Sequence, residues 1–132
     1  MGPHRYFLTF CTRRRRRIFT TALAVDPVLE QFRKTAATEQ FAIIAYCFMP
    51  DHVHLLVEGM RDDSDLRRFA KLAKQRSGAA HAISTRERLW QEGYYDHVLR
   101  DGENTRGIVR YVLENPVRAG LVLSPSEYPY LG

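Results

Sequence analysis

Two histidines separated by one residue, His52 and His54, are the residues best suited to metal chemistry in this sequence. They begin an apolar, β-prone run that continues to Val57. Because alternate residues of a strand share a face, both imidazoles are expected to point the same way, together with Leu56. Two imidazoles on one strand can share a metal ion. The same spacing also occurs in ordinary structural histidines, so spacing alone leaves both interpretations open.

The element that must hold the two histidines is predicted to be a β-hairpin. Residues 41–48 form a second apolar, β-prone run, and Met49-Pro50-Asp51 separates the two runs. Proline presets φ and aspartate favours turns, so this tripeptide is typical of a tight connection. A metal site requires ligands on a stiff support, which favours the metal interpretation.

Tyr111 and Asn115 form the second half of a candidate site. They lie four residues apart in a helix predicted over 105–115, which places both on one helical face. A phenol with an ordinary pKa of about 10 is a poor nucleophile until a nearby cation polarises its target. The amide of Asn115 could be a third metal ligand, a set that suits Mn²⁺ better than Mg²⁺. The alternative is structural: Tyr111 joins the apolar stripe of the helix, and Asn115 caps it before Pro116.

The remaining patterns predict one α+β domain over residues 1–132. The predicted elements are a strand over 5–12, a helix over 20–40, the hairpin over 41–58, a helix over 65–81 capped by Ser64, a strand over 94–100, a turn over 101–104, and a helix over 105–115 with Asn104 as its N-cap. This order indicates a ferredoxin-like antiparallel sheet with helices on one face and the histidines on a central strand. The other face is expected to be open for a ligand, and the tail over 117–132 to pack across the sheet.

Composition limits the class of protein and suggests its partner. The 132 residues are 45% hydrophobic and carry a net charge of +5, which favours a polyanionic partner, nucleic acid above all. Cys11 and Cys47, both in predicted strands, are expected to be buried thiols in a reducing compartment. The sequence lacks a run of about 18 apolar residues and a signal-peptide pattern, so we expect a cytoplasmic protein without a membrane partner.

Candidate nucleic-acid contacts fall in three places. The first is the run Arg13, Arg14, Arg15, Arg16 and Arg17, which requires counterions and suits a phosphate-binding loop. The second is the basic side of the helix over 65–81, with Arg67, Lys71 and Lys74. The third is Trp90, which could stack on a base, as Tyr94 or Tyr95 could. The alternatives are a solvated loop, a solvated helix face and aromatic rings in the core.

Three blocks of the sequence, taken together, resemble one family. Tyr46–Leu56 resembles the HUH motif of single-tyrosine transposases, and Trp90–Arg100 and Tyr111–Val122 resemble their REP-associated branch. The three blocks occur in the family's order, and the likeness extends over nearly the whole chain. This is far more specific than a pair of histidines.

The resemblance implies an enzyme that cuts and rejoins single-stranded DNA. It implies His52 and His54 as ligands of Mg²⁺ or Mn²⁺, Asn115 as the third ligand and Tyr111 as the nucleophile. Many relatives outside this branch have glutamine at the position of Asn115. The implied reaction leaves a 5′-phosphotyrosine and a free 3′-OH without a nucleotide cofactor. The implied substrate is hairpin DNA with a single-stranded flank, bound by a monomer or homodimer, with Arg118 among the DNA contacts.

Other functional classes are less compatible with the sequence. A histidine-triad hydrolase would need a third alternating histidine where Leu56 stands, and a two-histidine phosphoesterase would need two H-x-[ST] motifs, which are absent. The main alternative is a non-catalytic DNA- or RNA-binding module on the same fold. Such a module would bind nucleic acid whether or not Tyr111 is present.

Overall fold

Four antiparallel strands form one sheet, in the order β2-β3-β1-β4. The computed structural model describes residues 4–99 and 105–132. Its elements are β1 Arg5–Cys11, α1 Ala22–Glu39, β2 Phe41–Met49, β3 His52–Gly59, α2 Leu66–Thr85, β4 Tyr95–Leu99, α3 Thr105–Leu113 and the one-turn α4 Asn115–Arg118, with 3-10 turns at Arg13–Arg15 and Pro125–Glu127. The predicted end of the fourth strand at Arg100, the turn over 101–104 and the Asn104 cap lie outside the described residues.

The histidine strand, β3, is an inner strand of this sheet. It pairs with β1 on one side and with β2 on the other, both antiparallel. The strand and helix order together with this pairing is that of a ferredoxin-like fold. The predicted α+β class and the central position of the two histidines are therefore confirmed.

The main hydrophobic core lies between the sheet and the helices α1 and α2. Alternation along β3 sends Val53, Leu55 and Val57 into this core, and all three are fully buried. From the helices, Phe32 of α1 and Phe69 of α2 are buried against the same face. Alternation therefore leaves His52 and His54 on the opposite face of β3.

A smaller core forms on the histidine face, because α3 packs there, mainly against β2 and β3. Val112 of α3 is buried together with Cys47 of β2 and Leu56 of β3. The sequence predicted this face to be open. Helix α3 covers part of it because its apolar side must be buried somewhere, and α1 and α2 already fill the other face.

The C-terminal tail does not cross the sheet as predicted but lies along its edge at β2. Tyr46 N–H donates to the carbonyl of Gly132 at 2.9 Å, and Phe48 N–H donates to that of Tyr130 at 2.8 Å. Leu131 forms an isolated bridge with Cys47. The edge of β2 would otherwise expose unpaired backbone groups, and the tail satisfies them.

The helix boundaries differ from prediction at two caps. Asp65, not Ser64, caps α2, since its carboxylate accepts from Arg68 N–H at 3.2 Å. Ser64 is buried instead, and its hydroxyl donates to the carbonyl of Gln40. Helix α3 ends at Leu113, and Asn115 begins α4 rather than capping α3.

Proline explains the second difference. Pro116 lies in the first turn of α4, where a missing N–H costs no hydrogen bond, so it starts a new turn after α3 ends.

Along residues 4–99 and 105–132, every helix is too short or too polar for a membrane span.

Candidate active site

The two histidine rings lie side by side on the face of β3 that α3 partly covers. Their ring centroids are 4.8 Å apart, at an interplanar angle of 72°. The Nδ1 atom of each ring already has a partner: Asp51 Oδ1 at 2.8 Å for His52, and Thr9 Oγ1 at 2.9 Å for His54. Outer hydrogen bonds of this kind orient imidazoles that bind a metal through their other nitrogen.

Asp51 fixes the state of the His52 ring. An ionised carboxylate only accepts hydrogen bonds, so His52 Nδ1 carries the proton and the lone pair of Nε2 remains available. Arg15 Nε also donates to Asp51, at 3.1 Å from Oδ2. Burial by itself would raise the pKa of Asp51, but the hydrogen bonds from His52 and Arg15 outweigh it, and the pKa is lowered. Asp51 therefore stays ionised and holds His52 in place.

His54 is the more enclosed of the two rings. It is 9% exposed, and the ring of Phe7 stacks on it with centroids 5.1 Å apart. Burial lowers the pKa of His54 to about 4, and repulsion from His52, when that ring is protonated, and from the Arg118 guanidinium acts in the same direction. The imidazole is therefore neutral near pH 7, which is the form that binds a metal.

The shifted pKa of His54 predicts a loss of stability in acid. The unfolded imidazole takes up a proton near its ordinary pKa of 6.5, while the folded one resists protonation until about 4. The unfolded state binds more protons between these values, so the free energy of unfolding falls as pH drops through this window, by up to about 3 kcal/mol. Urea unfolding of the metal-free protein across the window measures the slope.

A His54→Leu variant provides the control for this titration. It removes the titrating group, so the slope should be smaller than that of the wild type. Part of the slope should remain, because burial also lowers the pKa of His81. An unchanged slope in His54→Leu would show that His54 does not titrate in this way.

Tyr111 projects from α3 beside the histidines. Its ring centroid is 6.4 Å from that of His54, and its ring meets Phe7 edge-on at 6.1 Å. The side chain is 49% exposed, unlike its neighbour Val112, which is fully buried. Tyr111 is therefore not a core residue of the helix. About half of the residue is exposed, at the edge of the histidine site.

Arg118 covers the other side of the tyrosine. Its guanidinium carbon lies 4.0 Å from the centre of the Tyr111 ring, and the side chain donates to the main-chain carbonyl of Tyr111. The sequence suggested Arg118 only as a DNA contact. The structure adds a cation–π contact, which places a positive charge directly beside the tyrosine.

Asn115 lies one turn beyond Tyr111 but on a separate helical segment. It is half-buried, and its carbonyl accepts from Ala119 N–H at 3.0 Å within α4. The predicted spacing within one continuous helix therefore does not apply. Among the described histidines, cysteines and carboxylates, no group of three lies close enough to hold a metal. Within residues 4–99 and 105–132, a third protein ligand beside the two histidines is therefore of another type, and the amide of Asn115 is a candidate.

The arginine run is partly neutralised by the protein itself. Arg15 pairs with Asp51 and so connects the run to the histidine site, and Arg16 pairs with Glu87 at 2.7 Å. The side chains of Arg13, Arg14 and Arg17 form no ion pair within the described residues. These three are the members of the run available to phosphates.

Of the nucleic-acid contacts predicted outside the arginine run, some have structural roles in the fold and others are exposed. Trp90 is 7% exposed, and its indole N–H donates to Ser77 Oγ at 2.9 Å. This burial, with the ring of Phe32 stacked on the indole, favours the alternative in which Trp90 is a core residue rather than a surface for base stacking. Lys74 donates to the carbonyls of Gln91 and Gly93 and so holds a loop. Arg67 and Lys71 are exposed on α2, across the sheet from the histidines.

Asp51, Thr9 and Phe7 are the site residues that sequence reasoning missed. Asp51 had a local signal, because it directly precedes His52. Thr9 and Phe7 had none, since their contacts with His54 follow from the pairing of β1 with β3.

A ferredoxin-like sheet with paired histidines on an inner strand and an exposed tyrosine beside them is the arrangement that the resemblance to single-tyrosine transposases implies. The chain matches the family model described as "Transposase IS200 like" over residues 3–115, and it belongs to that family. Transposases are enzymes that act on DNA. The resemblance to REP-associated tyrosine transposases is confirmed by two relatives of that kind.

Two curated relatives come from bacteria. A Haemophilus influenzae protein assigned to the REP-associated tyrosine transposases is 27% identical over 136 residues, covering 95% of this chain and 77% of the relative. The REP-associated tyrosine transposase of Escherichia coli K12 is 31% identical over 100 residues. That match covers 74% of this chain and 57% of the length of the relative.

Two solved structures share the fold. A REP-associated tyrosine transposase bound to a REP hairpin superposes with a TM-score of 0.83 at 23% identity, covering 99% of this chain and 77% of the other. A Deinococcus radiodurans protein assigned as a transposase gives a TM-score of 0.64 at 24% identity, with 87% and 92% covered.

Proposed function

We propose that this protein is a metal-dependent endonuclease and strand transferase for single-stranded DNA, with Tyr111 as its nucleophile. The observation that carries the proposal is the half-exposed Tyr111, whose ring centroid lies 6.4 Å from that of His54, on the face where Asp51 and Thr9 engage Nδ1 of the two imidazoles and leave Nε2 without a protein partner among these contacts. A REP hairpin bound to the structural relative with a TM-score of 0.83 supports a hairpin as the substrate here too.

The residues of the site fit a divalent metal. His52 and His54 would be ligands through Nε2, since Asp51 and Thr9 engage the Nδ1 atoms. Asn115 would contribute an amide oxygen. This mixed nitrogen and oxygen set suits Mn²⁺ and, less well, Mg²⁺. When bound, the metal would act as a Lewis acid on a non-bridging oxygen of the scissile phosphate.

Side chains of the protein carry out nucleophilic attack and stabilise charge at the phosphate. The Tyr111 oxygen attacks phosphorus and gives up its proton, while the bond from phosphorus to the 3′ oxygen breaks and that oxygen leaves as a hydroxyl. The product is a 5′-phosphotyrosine and a free 3′-OH. Arg118 lies beside the tyrosine, where it can offset the negative charge of the phosphate. Attack by a 3′-OH on the phosphotyrosine reverses the step, so no external energy source is needed.

The proposal is tested with end-labelled single-stranded DNA hairpins that carry unpaired flanks. The protein is incubated with each hairpin and Mn²⁺ or Mg²⁺, and the products are separated on a denaturing gel. We expect a covalent protein–DNA band that disappears when EDTA is added. Binding to the hairpins without any covalent band, in either metal, would instead support the non-catalytic binding module.

A further inference from the structure

Part of the histidine face is left uncovered by α3. That helix packs mainly over β2 and β3, so the ends of β1 and β4 near Thr9 and Tyr95 remain open. A cleft of about 230 Å³ lies there, between these strand ends and the loop over 91–93. Thr9 and Cys11 form its floor, and Tyr95 lines one side.

The cleft adjoins the histidine site through the strand register. Thr9 pairs with His54 on one side and with Tyr95 on the other, while Cys11 pairs with His52. Alternation places all of these side chains on one face of the sheet. Two inter-strand spacings, about 10 Å, therefore separate Tyr95 from His54. DNA with a phosphate at the histidines would place neighbouring nucleotides over the cleft.

The loop that forms the far wall is held rigidly. Gln91 N–H donates to the carbonyl of Cys11 at 3.0 Å, and the Lys74 ammonium donates to the carbonyls of Gln91 and Gly93. Gly93 has φ of +75°, a conformation that favours glycine. A wall fixed in this way can bind a ligand with little loss of conformational entropy.

The chemistry of the lining suits a base better than a phosphate. Tyr95 is 67% exposed, so one face of its ring is accessible to a base that lies in the cleft. Base stacking on such a ring is favourable for any base. Gln91 supplies an amide, which donates and accepts, and Glu92 supplies a carboxylate, which accepts from base amino groups and repels phosphates.

We propose that this cleft binds a nucleobase of the single strand next to the scissile phosphate, stacked on Tyr95 and recognised at its edge by Gln91 and Glu92. The inference rests on the proposed function and deepens it, because it names a residue set that selects the DNA sequence at the cut. It gives Lys74 the role of a positioning residue, acting through the loop that it holds.

The test measures DNA affinity without cleavage. Short single-stranded oligonucleotides of dA, dC or dT are titrated with the 132-residue protein in EDTA, and binding is followed by fluorescence anisotropy. Tyr95→Ala is expected to weaken binding by about tenfold or more, since stacking on an aromatic side chain contributes this much per base. Tyr95→Phe should bind as the wild type does, because it keeps the ring.

The base preference is tested separately. Gln91→Ala and Glu92→Gln should narrow the differences in affinity among dA, dC and dT. Val98→Ala is the matched control: Val98 is also exposed on β4, but it pairs with Tyr6 and faces the other side of the sheet. Circular dichroism confirms that each variant is folded.

Equal affinities for Tyr95→Ala and Val98→Ala would overturn the cleft proposal, as would a normal yield of covalent adduct from Tyr95→Ala on hairpin DNA. These results would leave the tyrosine mechanism intact. The opposite outcome is also possible to recognise. If Tyr95→Ala loses affinity, Val98→Ala does not, and the wild type forms no covalent adduct, the base-binding cleft is supported and the strand-transfer activity is rejected.

Discussion

Tyr111→Phe is expected to reduce the covalent protein–DNA adduct by at least about a thousandfold, because the substitution removes the attacking oxygen. DNA affinity should stay within about twofold, since the phenyl ring keeps the contacts with Phe7 and Arg118. Stability should also change by less than about 0.5 kcal/mol, because the hydroxyl lies on a half-exposed side chain. The adduct is measured on a denaturing gel, and affinity by anisotropy on the same hairpin.

A matched control is Tyr130→Phe, which removes a tyrosine hydroxyl outside the site. That hydroxyl donates to the carbonyl of Thr20 at 3.4 Å, in the tail rather than near the histidines. Tyr130→Phe should form the adduct as the wild type does. A persistent adduct in Tyr111→Phe would assign the nucleophile to another residue, and peptide mapping of the adduct would locate it.

His54→Leu is expected to weaken Mn²⁺ binding by more than about a hundredfold. Loss of an outer hydrogen-bond partner alone typically costs 10–100-fold in metal affinity, and loss of a ligand should cost more. Leucine cannot bind the metal, yet it approximates the volume of the buried ring next to Phe7. Mn²⁺ affinity of the DNA-free protein, measured by electron paramagnetic resonance, gives a result that does not depend on cleavage.

His81→Leu controls for the loss of a buried imidazole. His81 is 8% exposed and His54 is 9% exposed, but His81 lies on α2, across the sheet. Its replacement should leave Mn²⁺ affinity unchanged. Similar Mn²⁺ affinities in His54→Leu and the wild type would show that His54 is not a metal ligand.

Local patterns in the sequence determined the main helices and strands, and they placed the two histidines on the same side of one strand. The alternation of residues 53–57 placed His52 and His54 together on one side of a strand, because side-chain direction along a strand depends only on adjacent residues. The order of strands and helices then restricted the topology to a ferredoxin-like sheet with the histidines inside it. The motif blocks indicated the family, which the match over residues 3–115 confirmed.

Tertiary structure alone decided which residues surround the histidines. Thr9 reaches His54 through the pairing of β1 with β3, across 45 residues of sequence. Arg15 reaches Asp51 because the arginine run folds back beside the hairpin. Such contacts depend on strand register and loop path, which are set by the packing of the whole core rather than by nearby residues.

Packing also decided the roles of Trp90 and Lys74, which the sequence had offered as DNA contacts. Tryptophan and lysine side chains both occur at exposed and at partly enclosed positions, so the sequence pattern does not show which position each one takes. In the fold, Trp90 has Ser77 as its buried partner, and Lys74 has the carbonyls of Gln91 and Gly93. The sequence by itself determined the chemistry available to this protein, and the tertiary structure decided which residues face the substrate, because burial depends on every element that packs around a side chain.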